Sequence, residues 1–561
     1  MPDRVVVEVA RRGKLVVGEP FFTPGVPIVL DRKGLADVGP GQLAVVTTGR
    51  GRARLERPLG PASSIESVLD GLLEHEGMRG ADEPYEPPEP TLDGRVDLRD
   101  QLSFTIDPDT AKDFDDAISI GVEGDGLRAW VHIADVSHFV PAGSPLDQGA
   151  SERGFSVYVP GRVAPMLPPE LSEDLCSLRP RLDRLCVTVE VPFDGNLAAG
   201  EASFYRSVIR SRERLTYGGT ERILNGSESA DPDVTEALKL AERLAVELRR
   251  RRFARGALRI TTGEVNFSFD GNGGVERAWL ESEPHAHMLV EELMILANEA
   301  VGALLAGRRR EALYRIHERP DPQAIGHLLA KLADLDVPTP PAPAEEQLTP
   351  GIAAGLAAQV SDRVTAYVEE SGRGRDAFPA LVLRSLKQAR YDPRNLGHSG
   401  LASAAYCHFT SPIRRYPDLV CHRALLRELG VGDDPAPEDI GELAEHLSVT
   451  ERAAANIEYR ADDLCLAWLL GTVLFERGWD AIFEGEVTGV IPSGLFARFG
   501  EVFEGLLPAR RLPGDYYELN ELGTALVGRR GGRTFRLGDT IEVRVEDIDR
   551  QQGKVGLSLA A

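Results

Sequence analysis

Asp107, Asp113, Asp115 and Asp116 stand within ten residues of one another, in the segment Thr105-Ile106-Asp107-Pro108-Asp109-Thr110-Ala111-Lys112-Asp113-Phe114-Asp115-Asp116-Ala117. At neutral pH these carboxylates repel one another unless a cation sits among them. Such a density suits a hard, oxygen-preferring ion such as Mg²⁺. Mg²⁺ held by carboxylates leaves ligand positions for water and phosphate oxygens, so the cluster suggests phosphodiester chemistry. An acidic surface loop is the competing reading. A helical-loop calcium site requires Gly at its sixth position and Glu at its twelfth, and counting from Asp107 those are Lys112 and Ile118, which excludes it. A helix capped at Asp113 is compatible with metal binding. Leu102, Phe104 and Ile106 alternate into the cluster as a half-buried strand does, and Ala117, Ile118 and Ile120 continue as an apolar run. The aspartates are therefore expected at the rim of a core, where unneutralised charge is costly.

The elements that position them need a large protein, and 561 residues allow several domains. A hydrophobic content of 42% is enough for packed cores. No apolar stretch of about 18 residues appears, so no membrane span is expected. The first residues lack a secretory pattern. Cys176, Cys186, Cys407, Cys421 and Cys465 form no close-spaced pairs, which fits reduced thiols in the cytoplasm and argues against zinc. A net charge of −24 disfavours non-specific binding to duplex surfaces and leaves room for a narrow basic path for one strand.

Residues 1–60 read as short strands with Gly and Pro between them, enough for one small OB/cold-shock-like β-barrel. Residues 61–90 hold an amphipathic helix and a Pro/Glu-rich linker. Residues 91–470 open with strand-like runs and continue with helical runs at 233–253, 285–306, 351–370, 378–390, 413–429 and 438–470. Arg249 to Arg252 read as a solvated helix face. Residues 480–561 suggest five strands of an OB-type barrel. The fold class expected is multidomain α+β: an N-terminal barrel, a large α/β unit and a C-terminal barrel.

Over residues 91–561 an ordered set of motifs accompanies the aspartates. It comprises Gly94-Arg95-Val96-Asp97-Leu98-Arg99-Asp100, Val131-His132-Ile133-Ala134-Asp135-Val136-Ser137-His138, Val157-Tyr158-Val159-Pro160-Gly161 and Pro165-Met166-Leu167-Pro168. Leu289 to Asn298, Tyr314-Arg315-Ile316-His317-Glu318 and His408-Phe409-Thr410-Ser411-Pro412-Ile413-Arg414-Arg415-Tyr416 complete it. Together these resemble the ribonuclease II and ribonuclease R (RNB) family of 3′-to-5′ exoribonucleases. The final barrel resembles an S1 domain.

The resemblance implies an α/β domain with a deep channel for single-stranded RNA, and processive hydrolysis to nucleoside 5′-monophosphates. It implies that Asp107, Asp113, Asp115 and Asp116 hold one or two Mg²⁺ ions, with Mn²⁺ as the alternative. Asp115 matches the family aspartate most tied to turnover, with Asp113 beside it. Arg414 matches a group that holds phosphate and stabilises transition-state charge. Tyr158 and Tyr217 match aromatic RNA contacts. Ile260 takes the place of a phenylalanine that faces the terminal base in some members. Glu291 and Glu292 match a paired-glutamate stretch, and Arg415 is a further RNA contact or a helix anchor. His132 and His138 are expected to pack or hydrogen-bond. The resemblance further implies a cytoplasmic monomer without a stable protein partner. Two departures are room for about one cold-shock barrel where the family often has two, and the absence of a Lys-rich tail after Leu559. The rival reading is a non-catalytic RNA-binding protein on the same scaffold.

Overall fold

The structure, a computed structural model, describes residues 4–31, 38–49, 51–78, 80–81, 85–259, 263–281, 284–341, 343, 347–531 and 533–560. Ile260 lies outside the described residues.

Strands Arg4–Arg12, Leu15–Pro20, Ile28–Val29, Gln42–Thr47 and Arg54–Pro61 form a five-stranded sheet. Its order is third, second, first, fourth, fifth. A parallel bridge between Leu30 and Ala53 joins the two edges: Ala53 N–H donates to Val29 O at 2.9 Å and Asp31 N–H to Ala53 O at 2.8 Å. This closes the sheet into a small barrel and removes its exposed edges. The C-terminal barrel, from Phe483–Ile491, Gly494–Phe499, Phe503–Pro508, Thr540–Asp549 and Lys554–Leu559, has the same cyclic order. Alternate residues Leu495, Ala497 and Phe499 turn into its core, as the two-residue period of a strand requires. Between its third and fourth strands lies a three-stranded sheet, Tyr517–Leu519, Ala525–Gly528 and Thr534–Arg536, which the strand patterning did not foretell.

The large central unit is built on a seven-stranded mixed sheet. Across it run Glu213–Thr216, Phe104–Asp107, Asp116–Glu123, Gly126–Ala134, Asp183–Phe193, Ser203–Arg210 and Val96–Leu98. Phe104, Ile106, Ile118, Val131, Ile133 and Val187 pack on one face against Leu238, Leu244, Leu289 and Leu293 of helices Pro232–Ala254 and Pro284–Gly307. The small residues Ala117 and Ala134 turn to the opposite face, into the core shared with helices Tyr416–Glu428 and Ile440–Arg477. On that face His132 is fully buried, bonded through Nε2 to Ser119 Oγ and through Nδ1 to Thr188 Oγ1, both at 2.9 Å. Burial pushes its pKa down to about 3, so it is a neutral structural residue. His138 bonds to the carbonyl of Glu89 at 3.1 Å.

The 38-residue helix Ile440–Arg477 is the spine against which the other parts pack. Arg460 pairs with Glu76 at 2.6 Å and lies 5.1 Å over the ring of Phe22. Gln552, on a turn of the C-terminal barrel, donates to Phe22 O at 2.9 Å, so the two barrels touch directly. Gly553 (φ +67°) brings that turn so close to the helix that a Cβ would stand 2.8 Å from the Asp463 carbonyl carbon.

Two element boundaries and one exposure depart from the sequence reading in ways the packing explains. The helix expected over 378–390 spans Ala377–Arg384, because Arg390–Asp392 pairs as a strand with Tyr314–Ile316. The helix expected from 413 starts at Tyr416, because Arg415 is extended (φ −135°) and Pro417 fits only the first turn. The run Arg249 to Arg252 is not uniformly solvated, since Arg252 is buried.

Asp135 follows strand Gly126–Ala134 and is fully buried, with Arg95 at 2.7 Å and Arg206 at 3.2 Å. The Arg95 and Arg206 charges outweigh desolvation and hold its carboxyl below the usual range. Asp135→Ala strands two cations and is expected to lower unfolding free energy by roughly 3–5 kcal/mol in urea titrations.

Candidate active site

Asp107 is the last residue of strand Phe104–Asp107 and Asp116 the first of strand Asp116–Glu123. These strands are antiparallel neighbours, so the loop of residues 108–115 leaves and re-enters the sheet at one end. The loop is pinned there. Phe114 N–H donates to Ser177 Oγ at 3.1 Å, Ser177 Oγ donates to Lys112 O at 2.7 Å, and Leu178 N–H donates to Phe114 O at 2.9 Å.

A second loop, remote in sequence, meets the first. Ile413 N–H donates to Asp115 Oδ1 at 2.8 Å, and Arg414 Nε lies 3.7 Å from Asp115 Oδ2. The Arg414 loop is in turn laid against residues 154–156. Ser156 N–H donates to Arg414 O at 3.0 Å, Tyr416 N–H donates to Gly154 O at 2.9 Å, and Phe155 bridges Arg415. That pairing delivers the next strand, Val157–Val159, so that Tyr158 OH donates to Asp113 Oδ2 and its ring centroid lies 6.0 Å from the Arg414 guanidinium carbon. Tyr217 follows Thr216, the residue paired with Asp107, and its ring stacks on His287 at 3.8 Å.

The electrostatics follow from burial. Desolvation, with repulsion from Asp116, pushes Asp107 up to about 7. Desolvation raises Asp116 to about 6 although Arg414 and Arg415 pull it down, and it raises Asp115 well above the carboxylate range. Asp107 Oδ2 and Asp115 Oδ2 are buried and have no hydrogen-bond donor among the described residues. Buried carboxylate oxygens without a hydrogen-bond donor are the ligand chemistry a hard divalent cation takes. Among the described residues no three acidic, imidazole or thiol groups already converge on one point, since Asp113 is turned to Tyr158 and Asp115 to Ile413. The Asp115 side chain is 5% exposed and that of Arg414 is 48% exposed, so the guanidinium remains open to an incoming phosphate.

Other expected site residues sit differently. Arg415 Nη2 donates to buried Asp418 Oδ1 at 2.8 Å, and the same oxygen accepts from Ser411 N–H at 2.8 Å. Arg415 therefore anchors the turn that presents Arg414. Glu291 and Glu292 both engage Arg252, at 3.1 Å through Arg252 Nη2 to Glu291 and 3.1 Å through Arg252 Nε to Glu292, and among the described residues neither forms a hydrogen bond or ion pair with Arg414.

Two supporting residues were not among the expected site residues, although Asn298 closes one of the motifs. Glu458, on the spine helix, accepts from Tyr158 N–H at 2.8 Å and fixes the tyrosine's strand. Asn298, fully within the core, accepts from Phe409 N–H at 2.8 Å and donates to Tyr406 OH at 3.0 Å, which locks the segment leading to Arg414. Both lie in long helices whose polar positions look alike until the partner loop is in place.

The RNB domain matches residues 95–430, and the S1 RNA binding domain matches residues 479–560. The chain belongs to the RNB-domain family. Ribonuclease R of Escherichia coli (strain K12) is 38% identical over 513 residues, 88% of this chain and 60% of that protein. Ribonuclease R of Aquifex aeolicus is 37% identical over 489 residues, 85% of this chain and 66% of its own length. The chain thus spans about three-fifths to two-thirds of these two relatives. Among solved structures, the apo form of Mycoplasma genitalium RNase R superposes with a TM-score of 0.85 at 25% identity, covering 99% of this chain and 89% of that one. Yeast Ssd1, a pseudonuclease, superposes with a TM-score of 0.68 at 18% identity, covering 94% of this chain and 68% of that one. Among the described residues, no helix is long and apolar enough to cross a membrane.

The sign of the Asp107 shift gives a test. Its folded value of about 7 exceeds the ordinary 3.8, so between those values the folded protein holds a proton that the unfolded chain has released. With chelator present, this group is expected to lower stability as pH rises from 4 to 7, by at most about 1.4 kcal/mol per pH unit. Mg²⁺ is expected to raise the Tm at pH 8 and not at pH 5, and Asp107→Asn to flatten both trends in thermal melts.

Proposed function

We propose that the chain is a hydrolytic 3′-to-5′ exoribonuclease that acts processively on single-stranded RNA and releases nucleoside 5′-monophosphates. The observation that carries this reading is the buried, donor-poor carboxylates Asp107 and Asp115, the second with half-exposed Arg414 3.7 Å away. The relatives named ribonuclease R support the same reaction class. The fold alone does not, because a pseudonuclease shares it.

In this reading Asp107, Asp113, Asp115 and Asp116 hold one or two Mg²⁺ ions, or Mn²⁺ in their place. When bound, such ions supply Lewis-acid stabilisation and a nucleophilic water for in-line displacement. The chain's own residues do the rest. The Arg414 guanidinium donates to non-bridging oxygens of the terminal phosphodiester and balances the charge that builds there. Water adds to phosphorus, the bond to the preceding 3′-oxygen breaks, and that oxygen takes a proton. Tyr158 and Tyr217 offer ring faces to the last nucleotides, a contact that is blind to sequence. Ile260 contributes an aliphatic contact to the terminal base. Arg415, Glu291 and Glu292 serve the RNA path through the groups they hold, Asp418 and Arg252.

Residues 1–60 form the entrance barrel, 61–90 a helix and linker, 91–470 the catalytic domain and 480–561 a capture domain. We place the protein in the cytoplasm as a monomer, a setting in which its five free, buried cysteines stay reduced.

Asp115→Asn removes one charge with little change of shape. It is expected to abolish release of mononucleotides from end-labelled RNA in Mg²⁺ while leaving RNA affinity within a small factor. Equal degradation by the variant would overturn the assignment. Arg414→Ala is expected to lower kcat by about 10²–10³-fold, the range seen when one transition-state donor is lost. Deletion of 480–561 is expected to weaken capture of long strands more than cleavage of short ones, and unchanged affinity for long RNA would contradict the assigned role.

A further inference from the structure

The sheet inserted into the C-terminal barrel carries charge of the opposite sign to the chain as a whole. Its last turn holds Arg529, Arg530 and Arg533 in a protein of net charge −24. The turn has a defined shape. Asp515 Oδ2 accepts from Arg530 N–H at 2.6 Å and from Gly531 N–H at 2.7 Å, while Asp515 Oδ1 accepts from Tyr516 N–H at 2.7 Å. One carboxylate is thus spent on backbone amides, and the arginine side chains are left to point outward. Arg529 pairs with Glu518. Arg530 and Arg533 are exposed, and the Arg530 charge is felt by Asp515 beneath the turn without a close ion pair among the described residues. The Arg533 guanidinium lies 5.0 Å over the Phe535 ring, which holds its plane without neutralising it.

A solvated tyrosine lies on the chain segment bonded to this turn. Arg529 N–H donates to Tyr516 O at 2.9 Å, which sets Tyr516 on the neighbouring chain segment, and Tyr516 is 75% exposed. A large, solvated tyrosine is poorly explained by stability, since burying it would gain energy. The inserted sheet is also fixed to the body of the protein. Asn520 donates to Asp334 Oδ2 at 3.2 Å, and Arg536 pairs with Asp336 at 2.9 Å. The patch is therefore held at a set position relative to the helical part of the central unit.

We propose that Tyr516, Arg530 and Arg533 form an RNA contact outside the catalytic channel, on the inserted sheet and not on the barrel itself. Tyr516 stacks on one base of the strand still waiting to enter, and the two guanidinium groups hold the phosphates on either side of it. This combination of an aromatic platform with adjacent cations is what sequence-independent binding of a single strand requires. The choice of RNA as partner rests on the exonuclease reading given above.

The test uses the full chain with Asp115→Asn added, so that binding is read without degradation. Affinity for fluorescein-labelled single-stranded RNA of about 30 nucleotides, and of about 5, is measured by anisotropy across a salt series. Tyr516→Ala is expected to weaken the long RNA by about 5- to 100-fold and leave the short one unchanged. Arg530→Glu with Arg533→Glu is expected to weaken the long RNA and to reduce the slope of log affinity against log salt by about 1–2. Arg530→Lys with Arg533→Lys is expected to restore the slope. Unchanged affinity of both Tyr516→Ala and the double Glu variant for the long RNA overturns the proposal. That outcome is separable from failure of the exonuclease reading, which is judged on Asp115-containing protein by mononucleotide release.

Discussion

One hydrogen bond joins the two halves of the candidate site: Ile413 N–H to Asp115 Oδ1 at 2.8 Å, across 298 positions of sequence. Everything else around the carboxylates is arranged so that this contact forms. The sheet fixes the aspartate loop, because strands Phe104–Asp107 and Asp116–Glu123 both end there. The turn before helix Tyr416–Glu428 fixes the donor, because Asp418 gathers Ser411 N–H and the Arg415 guanidinium onto one oxygen. A buried carboxylate with one backbone donor on one oxygen and none on the other is a half-satisfied group, and such groups are costly. The second oxygen lies 3.7 Å from Arg414, too far for a tight ion pair. The arginine is thereby near enough to act with the carboxylate and free enough to bind something else.

The spine helix Ile440–Arg477 turns this local constraint into a molecular one. Glu458 near its middle holds the Tyr158 strand, and Arg460, one half-turn on, holds the N-terminal barrel through Glu76 and Phe22. Further along, Trp468 lies under Arg550 of the C-terminal barrel at 5.2 Å. Both barrels are thus referenced to the same rigid rod as the tyrosine beside the carboxylates. Their mutual contact through Gln552 and Phe22 closes the arrangement.

Much of this was legible in the chain. The alternation of Phe104 and Ile106 and the apolar run from Ala117 put the aspartates at the rim of a core, and the structure has Asp107 and Asp116 there as strand ends. The barrel strands were readable because Gly and Pro mark their corners. The inserted sheet of residues 517–536 was not, because its strands are three or four residues long and too short to show a period of two. The helix over Pro322–Asp334 was missed although Asp321 caps it, since a Pro at the first helical turn reads equally well as a loop. Arg252 shows the limit most plainly. Its sequence neighbours Arg250 and Arg251 pair with Glu247 on the same helix, while Arg252 is buried against Glu292 of another. Four arginines in a row carry no mark of which one faces inward; only the packing of helix on helix decides that.

The shared fold with a pseudonuclease makes the charge balance of the site the deciding matter. A scaffold that only bound RNA would gain stability by replacing Asp107 or Asp115 with a well-packed apolar or amide side chain, because the interior supplies neither carboxylate with enough donors. Instead the protein keeps Asp107, Asp115 and Asp116 buried, and desolvation raises their proton affinities, with carboxylate repulsion adding to it at Asp107 and Asp115. In the proposed function a proton and a divalent cation compete for the same oxygens. Arg414 adds positive charge from the other side without filling that role, since it remains half-exposed and its geometry suits a phosphate. In the proposed function, buried carboxylates set against a half-exposed arginine complement a metal–phosphate pair.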